Sequence, residues 1–287
     1  MFTTLITAEQ LVEFHVNNPT VIIDCRHDLM DAQAGKNAYE AGHIAGAVFA
    51  NLDTDLSGAK YDEDGVFLGR HPLPKTTDLL AALRRFGIND DTQVVAYDAH
   101  GGMFAARLWW LLRSIGHAQV AVLDGGIAAW IAAGQSLQTE AASNTVGNID
   151  VKSSLTKQVN VQTVLQNLQA ESGTQLQVID ARAADRFRGE NETMDPVGGH
   201  IPGAKNRFFK DNLQADGRFK SAEQLRQDWE SLISDPTMAV MQCGSGVTAC
   251  HNLLALEVAG MSGTALYPGS WSEWCSDASR PVATGVI

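Results

Sequence analysis

Short apolar runs alternate with helical patterns along the whole chain. The runs predict buried strands, and apolar residues at positions i, i+3 and i+4 predict the helices between them. Strands that alternate with helices form a mostly parallel sheet covered on both faces, so the pattern predicts an α/β fold. The predicted strands are Val21–Asp24, Ala47–Ala50, Val94–Tyr97, Val120–Leu123, Val178–Asp180, Ala239–Gln242 and Ala265–Tyr267, and the predicted helices are Leu79–Phe86, Phe104–Ile115, Ala222–Ile233 and Thr248–Ala259.

The second half of the chain repeats the first. Three pieces of the first half return in the same order, and a period this long indicates a duplicated domain rather than a solenoid. A polar stretch rich in Ser, Thr and Asn separates the halves and is typical of a linker. We therefore predict a domain at residues 1–137, a linker at 138–157 and a second domain at 158–287. The matching pieces are Val21–Arg26 with Val178–Arg182, Gly42–Ala47 with Gly199–Ala204, and Leu123–Trp130 with Tyr267–Trp274.

Cys243 lies where a predicted strand gives way to a Gly-Ser-Gly turn and then to a predicted helix. A thiol at a helix N-terminus is surrounded by backbone N–H groups and the positive end of the helix dipole, and both favour the thiolate. Gly244 and Gly246 allow the backbone to turn these N–H groups inward. The first copy carries Asp98 at the same place. The sequence thus predicts a cysteine nucleophile in the second copy alone.

Composition excludes several classes of function. The chain has 287 residues and a net charge of −12, which disfavours nucleic acid and anionic membranes as partners. We find neither an apolar stretch long enough to span a bilayer nor the basic start of a signal peptide, and we expect a cytoplasmic protein. The 4 cysteines form no Cys-x-x-Cys pair and no zinc-like cluster, so we expect no metal and no disulfide framework.

Other enzymes with a nucleophile between a strand and a helix fit poorly. A tyrosine phosphatase needs an arginine where this chain has Ala249, and a hydrolase elbow needs a glycine where it has Cys243. A papain-like thiol needs a histidine base, which the residues alone do not establish.

The loop Cys243–Thr248 instead resembles that of two-domain rhodanese-like sulfurtransferases, and the similarity covers nearly the whole chain. Within that family the sequence Cys-Gly-Ser-Gly-Val-Thr is similar to the 3-mercaptopyruvate enzymes, since rhodaneses that prefer thiosulfate usually carry two larger, basic residues after the cysteine. The element Gly199–Ala204 and the run Gly269–Trp274 are further marks of the family. The resemblance implies two tandem rhodanese-like domains, with the first catalytically silent.

The resemblance also implies roles for residues outside the loop. Asp53 and His71 would assist proton transfer near Ser245. Without the resemblance, Asp53 would be interpreted as the cap of a turn and His71 as a loop histidine. Ser245 either donates its hydroxyl to the substrate or bonds its own backbone as a turn serine. Arg186 matches an arginine that binds the substrate carboxylate. The predicted catalytic residues are Cys243, Ser245, His71 and Asp53, and the predicted substrate-binding residues are Arg186, Arg188, Gly244, Gly246, Val247 and Thr248.

One position departs from the 3-mercaptopyruvate pattern. A second arginine is expected nine residues after the first, and this chain has Asp195 there. Arg188 is either a replacement cation or a solvated surface charge. An anion clamp that lacks one arginine should bind a keto acid less tightly, which leaves the choice of donor open.

The resemblance implies transfer of sulfur from a small anionic donor, 3-mercaptopyruvate, to cyanide, a thiol or thioredoxin, through a persulfide on Cys243 and without a cofactor. Two alternatives remain at this point. One is a thiosulfate:cyanide sulfurtransferase, and the other is a persulfide carrier or sulfur-sensing interaction protein that turns over poorly by itself.

Overall fold

The computed structural model describes residues 1–142, 144–171 and 173–285, which form two compact units. Each unit includes a short segment that the predicted boundaries assign to the other half, residues 213–219 in the first unit and 59–73 in the second. The predicted linker includes residue 143, and the predicted second domain includes 172, 286 and 287, all of which lie outside the described residues. The first unit comprises Met1–Gly58, Pro74–Leu155 and Leu213–Phe219, and the second comprises Ala59–Leu73, Thr156–Asn212 and Lys220–Ile287.

The first unit is built on a parallel sheet of five strands in the order β1-β6-β5-β2-β4. Its central strand β5 is buried at every position, and α4 behind it is buried from Ala105 to Leu112. A small antiparallel pair, β3 with β7, lies outside this sheet. The elements are β1 (Leu5–Ile6), α1 (Ala8–His15), β2 (Thr20–Asp24), α2 (Ala34–Ala41), β3 (His43–Ile44), β4 (Val48–Phe49), α3 (Thr76–Arg85), β5 (Gln93–Tyr97), α4 (Ala105–Ser114), β6 (Val120–Leu123), α5 (Gly126–Ala132) and β7 (Leu137–Gln138).

The second unit repeats this plan. Its parallel sheet has the order β10-β9-β11-β12-β8, which is the first sheet's order when each strand is matched to its sequence counterpart. The central strand is β11, and the helix that follows it, α9, is buried from Thr248 to Leu256. The elements are β8 (Lys157–Gln158), α6 (Val161–Asn167), β9 (Gln177–Asp180), α7 (Ala184–Arg188), β10 (Lys205–Asn206), α8 (Ala222–Glu230), β11 (Ala239–Gln242), α9 (Thr248–Val258), β12 (Ala265–Leu266) and α10 (Ser270–Trp274), with short 3-10 helices at Phe209–Asn212 and Pro236–Met238.

The structure confirms the prediction of an α/β fold with two similar parallel sheets flanked by helices. Each predicted strand and helix is present, with ends that shift by up to three residues. The largest shifts are at α3, which begins three residues before the predicted Leu79, and at α8, which ends at Glu230 rather than Ile233.

Two buried ion pairs occupy equivalent positions after β2 and β9. Arg26 Nη2 lies 2.6 Å from Asp24 Oδ2 and donates to the Gly42 carbonyl at 2.7 Å. Arg182 Nη2 lies 2.7 Å from Asp180 Oδ2 and donates to the Gly199 carbonyl at 2.6 Å. Each arginine therefore ties the end of a strand to the turn of the Gly-His-Ile element. A buried pair of this kind keeps the strand end and the turn together, because removing one partner would leave an uncompensated buried charge.

Part of the predicted linker packs on the first unit. The amide of Gly147 donates to the Arg84 carbonyl at 2.8 Å, and that of Ile149 donates to the Ile88 carbonyl at 3.1 Å. The Ile149 side chain is fully buried. In the part of the chain that the structure describes, we find no helix both long and apolar enough to cross a membrane.

Candidate active site

Cys243 begins the loop that joins the central strand β11 to α9. Its amide donates to Ser270 Oγ at 3.1 Å, and its carbonyl accepts from the amide of Trp271 at 2.9 Å. The next carbonyl, that of Gly244, accepts from the Ser272 amide at 2.9 Å. The first turn of α10 thus holds this loop in place. Cys243 itself is buried, with only 1% of its surface exposed.

The two glycines of the loop differ, because Gly246 is the one of the two whose backbone conformation calls for glycine. Gly246 has a φ of +75°, a conformation that L side chains rarely adopt, and a Cβ there would collide with the Pro268 carbonyl oxygen. Gly244 is crowded by side chains, because a Cβ there would lie 2.6 Å from Arg70 Nη2 and 3.6 Å from Arg186 Nη2. A larger residue at 244 would fill the space between the arginines and the loop.

The equivalent loop of the first unit shows what this kind of turn binds. The fully buried Asp98 carboxylate accepts four hydrogen bonds from loop and helix amides. The amides of His100 and Gly102 donate to Oδ1 at 2.8 and 3.0 Å, and those of Phe104 and Ala105 donate to Oδ2 at 2.7 and 2.9 Å. Amides that converge at the start of a helix form an anion site. In the first unit that site holds the protein's own carboxylate.

Ser245 and His71 are in direct contact. Ser245 Oγ lies 2.7 Å from His71 Nδ1, and both residues are buried. His71 belongs to the segment Ala59–Leu73 of the second unit. The neighbouring Arg70 amide donates to Ser272 Oγ at 3.1 Å, so this segment is bonded to the same turn that holds the Cys243 loop. The structure therefore brings together two of the predicted catalytic residues, Ser245 and His71, at the loop that begins with Cys243.

Asp53, the fourth, lies in the first unit. It follows β4 in a turn that Asn51 caps, because Asn51 Oδ1 accepts from the Asp53 amide at 2.8 Å and from the Thr54 amide at 3.3 Å. Asn51 thus caps this turn. The catalytic role of Asp53 stays a prediction.

The remaining loop residues lead into α9. Val247 is the residue that precedes the helix, and Thr248 is its first residue. Both are buried, and the Val247 carbonyl accepts from the Cys250 amide at 3.0 Å. These contacts fix the start of α9 behind the cysteine. Binding of substrate by Val247 and Thr248 stays a prediction.

The two arginines of α7 have different surroundings. Arg186 Nε and Nη2 donate to Glu192 at 3.0 and 2.8 Å, and Nη2 also lies 3.4 Å from Asp195 Oδ2. Its guanidinium reaches the loop beside Gly244. Arg188 instead donates to Glu190 through Nε at 2.8 Å and Nη2 at 2.6 Å. The structure places Arg186 at the loop and Arg188 on an exposed carboxylate.

Arg70 is the residue that sequence reasoning missed. Its Nε and Nη2 donate to Oδ1 and Oδ2 of Asp195 at 3.0 and 3.2 Å, a bidentate pair. An arginine that immediately precedes the predicted His71, together with an unexpected acid at 195, was the available signal. The two residues are 125 positions apart, so no local pattern pairs them.

The carboxylates beneath these arginines differ in their electrostatics. Burial raises the pKa of Asp195 above its ordinary value, and the charge of Arg70 opposes that rise. Burial also disfavours ionised Glu192, yet hydrogen bonds from Arg186 and from backbone amides hold its pKa below the ordinary value. Glu192 also accepts from Arg182 Nη1 at 3.2 Å. Among the described residues, no group of three or more His, Cys, Asp and Glu side chains is placed to hold a metal ion.

Comparisons with known proteins agree with this architecture. The model of the rhodanese-like domain matches the chain twice, at residues 7–133 and 161–277. A Pseudomonas aeruginosa protein named a probable 3-mercaptopyruvate sulfurtransferase is 46% identical over 285 residues, which covers 98% of both chains. The mouse thiosulfate sulfurtransferase is 34% identical over 247 residues, which covers 83% of this chain and 79% of the mouse protein.

A solved structure shows the same arrangement. The 3-mercaptopyruvate sulfurtransferase from Leishmania major superposes with a TM-score of 0.84 at 29% identity and covers 98% of this chain and 76% of its own. The two family matches span most of this chain, and relatives of 46% and 34% identity carry sulfurtransferase names. The chain therefore belongs to the rhodanese-like domain family and is a sulfurtransferase.

Proposed function

We propose that this protein transfers sulfur from 3-mercaptopyruvate to a small thiophilic acceptor through a persulfide on Cys243. The observation that carries the proposal is the contact of 2.7 Å between Ser245 and His71, two residues after the cysteine. A donor that loses sulfur from carbon needs a proton source beside the nucleophile. A hydroxyl bonded to an imidazole is such a source.

The first half-reaction forms one S–S bond and breaks one C–S bond. The Cys243 thiolate attacks the donor sulfur, and the carbon leaves as the enolate of pyruvate. The enolate carbon takes up a proton through Ser245 and His71, and the proton from the donor thiol balances it. The products are pyruvate and a persulfide anion, with the same total charge as the reactants.

The second half-reaction restores the thiolate. Cyanide attacks the outer sulfur of the persulfide and leaves as thiocyanate, while the electron pair of the S–S bond returns to Cys243. A small thiol takes the sulfur in the same way and becomes a persulfide itself. The burial of Cys243 supports acceptors of this size over a protein such as thioredoxin.

In this proposal, amides of the Cys243 loop would supply the charge stabilisation that both steps need. In the first unit the equivalent turn holds a carboxylate with four amides. A similar turn around Cys243 would favour the thiolate and the persulfide anion, since each hydrogen bond to a charged group contributes roughly 1.5–3 kcal/mol. The 46% identical relative named a probable 3-mercaptopyruvate sulfurtransferase supports the choice of donor.

The test compares the two donors. Steady-state turnover with cyanide should show a higher kcat/KM for mercaptopyruvate than for thiosulfate, and the reverse preference would make the protein a thiosulfate sulfurtransferase. Intact-mass analysis after donor treatment should show one added sulfur atom. Cys243→Ser should abolish the adduct, whereas Cys250→Ser, which alters the next cysteine along the chain, should retain it. A stable adduct without turnover would instead indicate a persulfide carrier.

A further inference from the structure

Four charged side chains lie together beside the Cys243 loop. Arg70 and Arg186 both contact Asp195, and Arg186 also contacts Glu192. The cluster occupies the position at which the sequence departs from its expected pattern, with an acid at 195. The structure shows that Asp195 has a partner, because it holds an arginine from a distant segment.

The acidic and the basic side chains of this cluster differ in their exposure to solvent. The carboxylate side chains of Asp195 and Glu192 are 3% and 4% exposed, whereas the side chains of Arg70 and Arg186 are 19% and 21% exposed. The acids therefore lie beneath the guanidinium groups. An incoming anion meets the guanidinium groups first, where Coulomb attraction is strongest because it falls with distance.

Both guanidinium groups face the loop. Arg70 Nη2 lies 2.6 Å, and Arg186 Nη2 and Nη1 lie 3.6 and 3.8 Å, from the point where a Cβ on Gly244 would stand. The bonds of Arg70 to Asp195 use Nε and Nη2, and those of Arg186 to the two acids use the same two nitrogens. Among the described residues, the bonds of these arginines to Asp195 and Glu192 leave Nη1 of each arginine for a ligand beside the cysteine.

The backbone of the Arg70 segment is held firmly. The Arg70 amide donates to Ser272 Oγ, and the preceding Gly69 has a φ of +110°. A Cβ at residue 69 would lie 3.0 Å from the Gly269 carbonyl oxygen, so this close approach suits glycine. Asp195 fixes the far end of the arginine side chain. Arg70 therefore has little conformational entropy left to lose when an anion binds.

We propose that Arg70 and Arg186 together bind the anionic group of the sulfur donor, and that Asp195 positions Arg70 for this role. The donor class is a small carboxylate, which two guanidinium groups recognise by charge-assisted hydrogen bonds. The identity of the anion as the mercaptopyruvate carboxylate rests on the proposed function. The existence of the anion site does not rest on the proposed function.

The first test changes Arg70 alone. Arg70→Gln should raise the KM for mercaptopyruvate by roughly tenfold or more, the loss expected for one charge-assisted contact. The kcat should change less, because the thiol and the Ser245–His71 pair remain. Arg226→Gln, which removes an exposed arginine of α8, controls for net charge and should leave KM unchanged. An unchanged KM in a folded Arg70→Gln variant would overturn the proposal.

The second test exchanges the two charges. Arg70→Asp should raise the KM for mercaptopyruvate, because it removes one guanidinium and places a second carboxylate against Asp195. Adding Asp195→Arg should reverse most of this rise, because the ion pair is restored with an arginine beside the loop. A rise in KM caused only by disturbed folding would not be reversed in this way. A folded double variant with a KM no lower than that of Arg70→Asp would refute the positioning role of Asp195.

The third test does not depend on the donor. Alkylation of Cys243 by iodoacetate, an anion, is compared with alkylation by neutral iodoacetamide. Arg70→Gln should lower the ratio of the two rates by several-fold, while Arg226→Gln should preserve it. An unchanged ratio in Arg70→Gln would contradict the anion site. A lowered ratio in a protein that does not turn over mercaptopyruvate would retain the anion site and reject the proposed donor.

Discussion

Ser245 Oγ and His71 Nδ1 lie 2.7 Å apart although the two residues are 174 positions apart in the chain. Both side chains are buried, so water competes little for this contact. Ser245 is two residues after the cysteine, and His71 directly follows Arg70 in the chain. The proton relay that we propose for this pair would serve only a donor whose leaving group must be protonated.

Because only one of the two donors has a leaving group that must be protonated, one substitution should affect the two donors differently. Ser245→Ala should lower kcat with mercaptopyruvate by roughly 10²-fold, a typical loss for general acid–base catalysis, because the enolate carbon then lacks its proton source. With thiosulfate the loss should be small, since sulfite leaves without taking a proton. Stopped-flow measurement of the first half-reaction provides the comparison. Equal losses with both donors would assign Ser245 to binding rather than to proton transfer.

The close approach of Gly246 to Pro268 predicts a large loss of stability on substitution. Gly246→Ala should cost about 1–2 kcal/mol for its left-handed backbone, and more for the collision with the Pro268 carbonyl. Gly203→Ala is the matched control, because Gly203 has a φ of +77° and open space around its Cβ position. Urea unfolding of both variants isolates the collision. Equal losses would mean that the loop moves aside without cost.

The four hydrogen bonds that the Asp98 carboxylate accepts predict that this residue stabilises the folded protein. Asp98→Ala leaves four amides without their acceptor, and the free energy of unfolding should fall by at least about 3 kcal/mol. Asp31→Ala controls for an exposed turn, where Asp31 Oδ1 accepts from the Gln33 amide, and should cost much less. Chemical denaturation followed by tryptophan fluorescence measures both. Similar small losses would show that water replaces the carboxylate.

The lowered pKa of Glu192 predicts a pH-dependent contribution to stability. Ionised Glu192 is favoured in the folded state, so its contribution is present above its ordinary pKa of 4.5 and is lost as the pH falls through the lowered value. The stability difference between the wild type and Glu192→Gln should therefore be largest near neutral pH and shrink in acid. Urea titrations over this range test the sign. A difference that grows in acid would contradict it.

The strong predictions came from local apolar patterns. Strands β5 and β11 lie at the centres of their sheets and are buried at every position, so their apolar runs are unmistakable. Strand β10, the pair Lys205–Asn206, escaped prediction because an edge strand of two polar residues has no pattern. Helix α1 escaped as well, although Thr7 and Gln10 form a capping box at its start.

The residues of the site also fall into those with a local signal in the sequence and those without one. Cys243 and its glycines could be identified because a nucleophile loop between a strand and a helix is a local feature. His71 could be assigned only by resemblance, and Arg70 was missed although it immediately precedes that histidine. Its pairing with Asp195 depends on how the chain folds back, and charge at a single position carries no information about a partner 125 residues away.

The segment Ala59–Leu73 precedes the duplication boundary yet belongs to the unit that contains the thiol. A fragment cut at the predicted linker would keep Cys243 and Arg186 but lose His71 and Arg70. The first half of the gene, which encodes Asp98 where the second half encodes Cys243, is therefore not dispensable. A truncation that removed it would also remove side chains that lie against the Cys243 loop.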